Sequence, residues 1–558
     1  MVAAGLLFYQ GYLQEDFLFY LASIVSMAAF LILIKRHQSI RWLNRLAKSK
    51  MKVNENELEF LAGQNFPFES GAEFIQTDHP YSYDLDFFGK KSIFQLLNRT
   101  GTVRGKESLA ESLLHIQDKE EILATQDAVK ELTPKISWRQ HFLALGSIDK
   151  ESKENYEDIV TWSKRTPIQE SAILRILSFL LPAATILTLV LSFLLSGALY
   201  GNLTFLLFLI NLGILITKSK TVREELVPST KVEVILKHYS LLLELIENQE
   251  YHSSKLKTLQ KELVSKHTKA STAIHQLSLL FGRMEHVVNI FASPLFNGFL
   301  QYHIHVLRGL SRWRENHGVH IQEWLDTLGE FEKLNSLANF SFNNPTYTFP
   351  SINTSYQIQL ENLGHPLLTK EKAVTNSINF AESRFFVLTG SNMSGKSTFL
   401  RTVGVNMVFA GIGAPVFATE ANVHPLPVLV SMRLSDSLTD SESYFYAEVK
   451  RLKSIMDQLD KQPSFALLDE LLRGTNSDDK REGTLEVIRN MAQRQAFGGI
   501  ATHDLEVCKV TDEFPEVLSN KRFEVEIVND ELVFDYKLRE GICENKSASF
   551  IMKKMGVI

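Results

Sequence analysis

Cysteine is nearly absent: the 558-residue chain holds two, Cys508 and Cys543. That excludes a disulfide framework and a cysteine-built metal cluster, and it suits a reducing compartment. Both read as packing thiols. A surplus of positive charge is also missing, with 59 Lys and Arg against 64 Asp and Glu, a net charge of −5. Nothing in that balance draws the whole chain to nucleic acid or anionic lipid, so a DNA contact needs a local basic surface. Two stretches lack charge of either sign, Phe17 to Ile34 and Ile176 to Thr217. No Lys or Arg precedes the first, which excludes the positive n-region of a secretory signal.

The first stretch, FLFYLASIVSMAAFLILI, is just long enough to cross a bilayer. Lys35, Arg36, Arg41, Arg45, Lys48 and Lys50 follow it directly. The positive-inside rule puts the N-terminus outside and the following chain in the cytoplasm. The second stretch has room for two spans of ~20 residues. SGALYGN, Ser196 to Asn202, is the expected turn between them. Lys164, Arg165 and Arg175 lie before it and Lys218, Lys220 and Arg223 after it, so both ends are expected in the cytoplasm. The expectation is a multi-pass protein of the cell membrane, with residues 35–172 and 218–558 on the side where ATP is found. Pro182 would kink its span, which membrane helices tolerate.

GSNMSGKS, Gly390 to Ser397, fits G-x-x-x-x-G-K-[ST]. RFFVLTG before it is a short apolar run, as a buried parallel strand should be. STFLRTVGVNMVFAGIG after it has helical periodicity and ends in glycine. Gly390 and Gly395 let the backbone turn its N–H groups toward phosphate, and the helix N-terminus adds its positive end. Lys396 is expected to reach the β- and γ-phosphates, and the Ser397 hydroxyl to coordinate Mg2+. In SFALLDELLRGT, Asp469 stands at the end of a strand, where a carboxylate holds the Mg2+ water shell. Glu470 is next, placed to orient or deprotonate the attacking water. GGIATHDLEV reads as a third strand, ending in His503, a candidate γ-phosphate contact.

GHPLL, LTGSNMSGKSTFLRTVG, GIGAPVFA, ALLDELLRGTNSDD, IATHDLE and YKLREGICENKSASFIMKKMG occur in that order. Together they resemble the ATPase domain of the MutS family of DNA mismatch-repair proteins, over residues 350–558 nearly end to end. LSDSLTDSESYFYAEVKRLKSI resembles that family's signature helix, with Ser443 and Glu448 at matching positions. Tyr444 follows Ser443 where those proteins usually carry Thr, and Leu472 replaces a glycine after the Asp-Glu pair. LLNRTGTVRGKESLAESLLHI is more weakly similar to the entrance of the MutS helical core. Thr230 to Leu337 reads as long lever helices, broken only at Ala292 to Gly298. The membrane hairpin falls where MutS proteins carry a DNA clamp, and no room is left for a mismatch-reading domain.

The expected fold is therefore an α/β P-loop ATPase domain of the MutS/ABC type, joined to an all-α lever and core with three transmembrane helices. The expected divisions are an anchor with its basic flank at 1–50, a helical core at 51–170 and a membrane hairpin at 171–217. Levers at 218–349 and the ATPase at 350–558 complete them. The resemblance implies ATP and Mg2+ as cofactors and a homodimer through the ATPase heads, with DNA as a ligand. It implies nucleotide contacts from Gly390, Ser391, Asn392, Met393, Ser394, Gly395, Lys396, Ser397 and Thr398. Ser397 and Asp469 would hold the metal, Lys396, Glu470 and His503 would act in hydrolysis, and Ser443 would reach the partner's nucleotide. An ABC-type transporter is the alternative enzyme class. It is disfavoured by the lack of an LSGGQ-like signature and of any ionisable residue in the spans. A nucleotide-dependent membrane scaffold would leave the hydrolytic groups idle.

Overall fold

The computed structural model describes all residues except 1, 15, 64, 196–197, 227–231, 266–267, 290–291, 370, 434–443, 473, 529–530 and 545–558. The chain starts with a short apolar helix α1 (Val2–Gln14) folded back on α2 (Phe17–Leu61). Asp16 caps α2 by accepting the Leu18 N–H, and the Ser23 hydroxyl donates to the Ala4 carbonyl at 2.8 Å. The basic flank does not end the helix. Lysine, arginine and leucine favour helix, so α2 runs 45 residues without a break, and the expected boundary at residue 50 falls inside it.

Helices α3 (Ile93–Leu97), α4 (Val103–Leu114), α5 (Lys119–Leu132), α6 (Ile136–Gly146) and α7 (Lys153–Ser163) follow. Next come α8 (Ala172–Leu194) and α9 (Ala198–Thr217), which pack on each other with Pro182 inside α8. Like α2, both are long and apolar enough to cross a membrane. Helix α9 begins at Ala198, inside the expected Ser196–Asn202 turn.

The expected lever differs. Residues 218–343 form α10 (Ser219–Glu225), α11 (Val232–Glu247), α12 (Ser254–Glu262), α13 (Ala270–Val288), α14 (Ala292–Leu300), α15 (Tyr302–His317) and α16 (Ile321–Asn343). A two-residue ladder of β1 (Val264–Ser265) and β2 (Thr268–Lys269) interrupts them. The segment expected as the only break is itself helical: its proline sits in the first turn of α14, where a missing N–H costs nothing.

Two buried charges tie the helices together. Arg99 pairs with Glu57 of α2, which also accepts from Asn339 and Asn343 of α16 at 3.0 and 3.2 Å. Glu332 of α16 accepts the N–H groups of Gly101 and Thr102 at 2.7 and 3.2 Å and the Thr102 hydroxyl. Burial raises the Glu332 carboxyl to about 7, against the pull of those donors.

The C-terminal part holds β3 (Ser351–Ile352), β4 (Ile358–Leu363), β5 (Asn376–Asn379), β6 (Phe385–Thr389), α17 (Lys396–Gly411), β7 (Glu420–Val423) and β8 (Val428–Ser431). It continues through α18 (Tyr444–Leu459), β9 (Phe465–Asp469), α19 (Ser477–Gln493), β10 (Phe497–Ala501), β11 (Leu518–Val528) and β12 (Glu531–Glu540). One sheet has the order β12-β11-β6-β10-β9-β8, parallel except for β12; the other has the order β3-β7-β4-β5. Strands β6, β9 and β10 are buried at every residue, as parallel strands covered on both faces must be. Both cysteines are buried, as packing thiols should be.

Candidate functional site

The register of the large sheet brings three loops together. Ala501 at the end of β10 is level with Leu388 of β6 and with Asp469 of β9. The segments leaving these strands therefore emerge side by side at the carboxyl edge, where parallel sheets place their ligands.

After β6, the chain turns through Gly390–Gly395 into α17. Met393 and Gly395 take left-handed backbone angles, φ 66° and 99°. A β-carbon on Gly390 would come within 2.6 Å of the Ser394 hydroxyl. The loop closes around the Lys396 ammonium, which donates to the carbonyls of Gly390 and Ser391 at 2.9 and 3.0 Å. Burial lowers the Lys396 pKa, while Glu470 and Asp469 pull it back up. The hydroxyls of Ser391 and Ser394 are buried with no hydrogen-bond partner among the described residues.

From the other two strands come Glu470 and His503. Nε2 of His503 lies 2.7 Å from Glu470 Oε1 and 3.4 Å from Lys396 Nζ. Asp469 ends β9 and is buried. The strand before His503 stops two residues earlier than expected, at Ala501, so the imidazole hangs from a loop. Lys396, Glu470 and His503 face a cleft of about 490 Å³, which Asn392, Met393, Ser394, Gly395, Ser397 and Thr398 also line; Asp469, Gly390 and Ser391 are not among its lining residues. Ser443 lies outside the described residues.

One feature escaped sequence reading, and a departure seen there takes its meaning from the backbone. Tyr536 of β12 lines the same cleft, its ring over Gly395, and only the return of β12 along β11 brings it there. Leu472 sits at φ 59°, and its N–H donates to Glu448 of α18 at 2.6 Å. The glycine expected there would adopt that angle freely, whereas leucine does so under strain.

Residues 386–557 match the family model described as MutS domain V. That C-terminal part of the chain is of the MutS family. It is 32% identical over 194 residues to MutS protein homolog 4 of Homo sapiens, covering 33% of this chain and 20% of that protein. The DNA mismatch repair protein MutS of Caldicellulosiruptor bescii is 26% identical over 247 residues, 42% of this chain and 28% of its own length. That of Thermotoga petrophila is 28% identical over 233 residues, 41% and 29% respectively. The matches thus span under a third of these MutS relatives.

Proposed function

We propose that this protein is a membrane-anchored MutS-type ATPase that turns ATP binding and hydrolysis into movement of its helical region. The convergence of Lys396, Glu470 and His503 on one cleft carries the reading. The residues present suit Mg-ATP: a loop with left-handed turns, two buried hydroxyls without partners and a partly desolvated lysine at a helix N-terminus. Gly390 to Thr398 would wrap the phosphates and Lys396 would neutralise them. Ser397 and Asp469 would hold Mg2+, which supplies charge neutralisation between the phosphates. Tyr536 offers an aromatic face to the base. Glu470 takes a proton from the attacking water, and His503 steadies that carboxylate.

The three apolar helices support an integral membrane protein of the cell membrane, N-terminus outside and ATPase inside. A homodimer through the ATPase heads, with Ser443 completing the partner's site, is the assembly we expect. DNA as a ligand rests on the family alone, and a single mismatch should change affinity for duplex DNA less than tenfold at fixed salt. The deciding experiment is Mg-dependent ATP hydrolysis by the full chain in lipid. Lys396→Ala should weaken nucleotide binding; a full chain with neither binding nor turnover would end the reading.

A further inference from the structure

Between α13 and α15 the chain runs from Val287 to Gln301 without a charged residue. That length is too short to cross a bilayer and suits either a buried core helix or a segment that enters and returns. Its helix, α14, packs on α9 and α8 rather than on the rest of the helical region alone. Gly298 meets α9 so closely that a β-carbon would lie 2.1 Å from the Phe208 ring, and Phe299 packs edge-on to that ring at 5.1 Å.

A buried polar group fastens the contact. Asn211 of α9 donates to the Thr185 hydroxyl of α8 at 3.1 Å and to the Gly298 carbonyl at 2.8 Å. Its own carbonyl accepts from Gln301 at 2.7 Å. Gln301 breaks the helix with φ 45°, and Asn211 supplies a donor to the carbonyl freed at that break. Irregular backbone at membrane depth survives only where protein satisfies it in this way.

The depth of the contact follows from helix rise. Thr185 lies nine residues beyond Ile176, where the uncharged run begins, or about 13 Å along the axis. Phe208 lies nine residues before Thr217, where that run ends, the same about 13 Å. Both paths reach roughly the middle of a hydrocarbon core of about 30 Å. The return path has its own marker. On α15, Arg308 donates to the Ser178 hydroxyl at 2.8 Å and pairs with Glu170 at 2.6 Å, where α8 begins its span. Arg283, Glu285 and His286 are exposed at the end of α13, before the uncharged run. Leu295, Phe296 and Leu300 of α14 are 59%, 39% and 40% exposed.

We propose that α14 is a re-entrant membrane element, presenting Leu295, Phe296 and Leu300 to lipid acyl chains near the bilayer centre. This rests on the reading of α8 and α9 as membrane spans. It gives the α13–α15 arm its own foothold in the membrane, so that the arm and the hairpin move as one body.

Site-directed spin labelling tests it on the full chain in phosphatidylcholine–phosphatidylglycerol vesicles. Cys508→Ala and Cys543→Ala remove the native thiols. Single cysteines then replace Leu295 or Leu300, with Leu206 of α9 as lipid control and Val319 as water control, 53% and 79% exposed. Labels at 295 and 300 should collide with oxygen and be shielded from a water-soluble nickel chelate, as at 206. Nickel access at both positions equal to that at 319, with 206 still shielded, overturns the re-entrant helix and leaves the spans standing. Nickel access at 206 as well removes the membrane reading and this proposal together.

Discussion

His503 Nε2 stands 2.7 Å from Glu470 Oε1, and the same nitrogen is 3.4 Å from Lys396 Nζ. The contact joins a group assigned to water activation to one assigned to phosphate binding, so the two roles should separate by mutation. Glu470→Gln should bind nucleotide normally and lose about 100-fold or more in turnover. Filter binding beside single-turnover hydrolysis checks this; equal loss of binding in Glu470→Gln and Lys396→Ala would show that Glu470 is no base.

Leu472 and Gly483 form a second pair. A β-carbon on Gly483, inside α19, would come within 2.4 Å of the Leu472 δ-methyl. Alanine in a helix interior normally stabilises over glycine by about 1 kcal/mol. Gly483→Ala should therefore stabilise a Leu472→Gly background and destabilise the native one. A double-mutant cycle of melting temperatures reads the sign change, and identical effects in both backgrounds would refute the pairing.

Glu332 predicts a pH effect. Its carboxyl is raised to about 7 by burial, with Glu151 adding to the rise, above the ordinary 4.5. The folded state then binds more protons than the unfolded one between those values. That contribution is complete below about 4.5 and is lost as pH rises through about 7. The loss is on the order of 3 kcal/mol. Melting the full chain between pH 5 and pH 8 should show native stability falling relative to Glu332→Gln. Parallel curves would place the titration elsewhere.

Membrane integration predicts resistance to high-salt extraction, because burial of apolar helices is not screened by ions. Impermeant labelling should reach Gly201, beside the α8–α9 turn, from outside and Arg223 only from inside. An externally labelled Arg223 would invert the proposed topology.

Subunit mixing tests the paired heads. If Ser443 acts on a neighbour's nucleotide, inactive Ser443→Ala and Lys396→Ala subunits should recover activity when mixed. Each mixed dimer then keeps one site with its own Lys396 and a partner's Ser443. No recovery in confirmed mixed dimers would rule out the shared site.

The parts of the site that are local in sequence were legible. The glycine loop and His503 follow apolar strands, Asp469 ends one, and the parallel register carries them to one edge. Tyr536 was not legible, because an antiparallel return over the glycine loop leaves no mark in the strand that makes it. Leu472 could be seen as a departure from the family, but its strain shows only in the backbone angle. Periodicity marked residues 230–337 as helical yet not where they fold back. Pro294 and Gly298 read as a break, while a first-turn proline and a glycine packed against Phe208 are both compatible with helix.

Helix α2 carries a mechanical consequence. Lys35 to Leu61 extends about 40 Å past the apolar end of one unbroken helix. Through Glu57, that far end grips Arg99, Asn339 and Asn343. A rigid rod transmits angle rather than length: tilting its apolar end by about 5° sweeps the other end through roughly 3 Å.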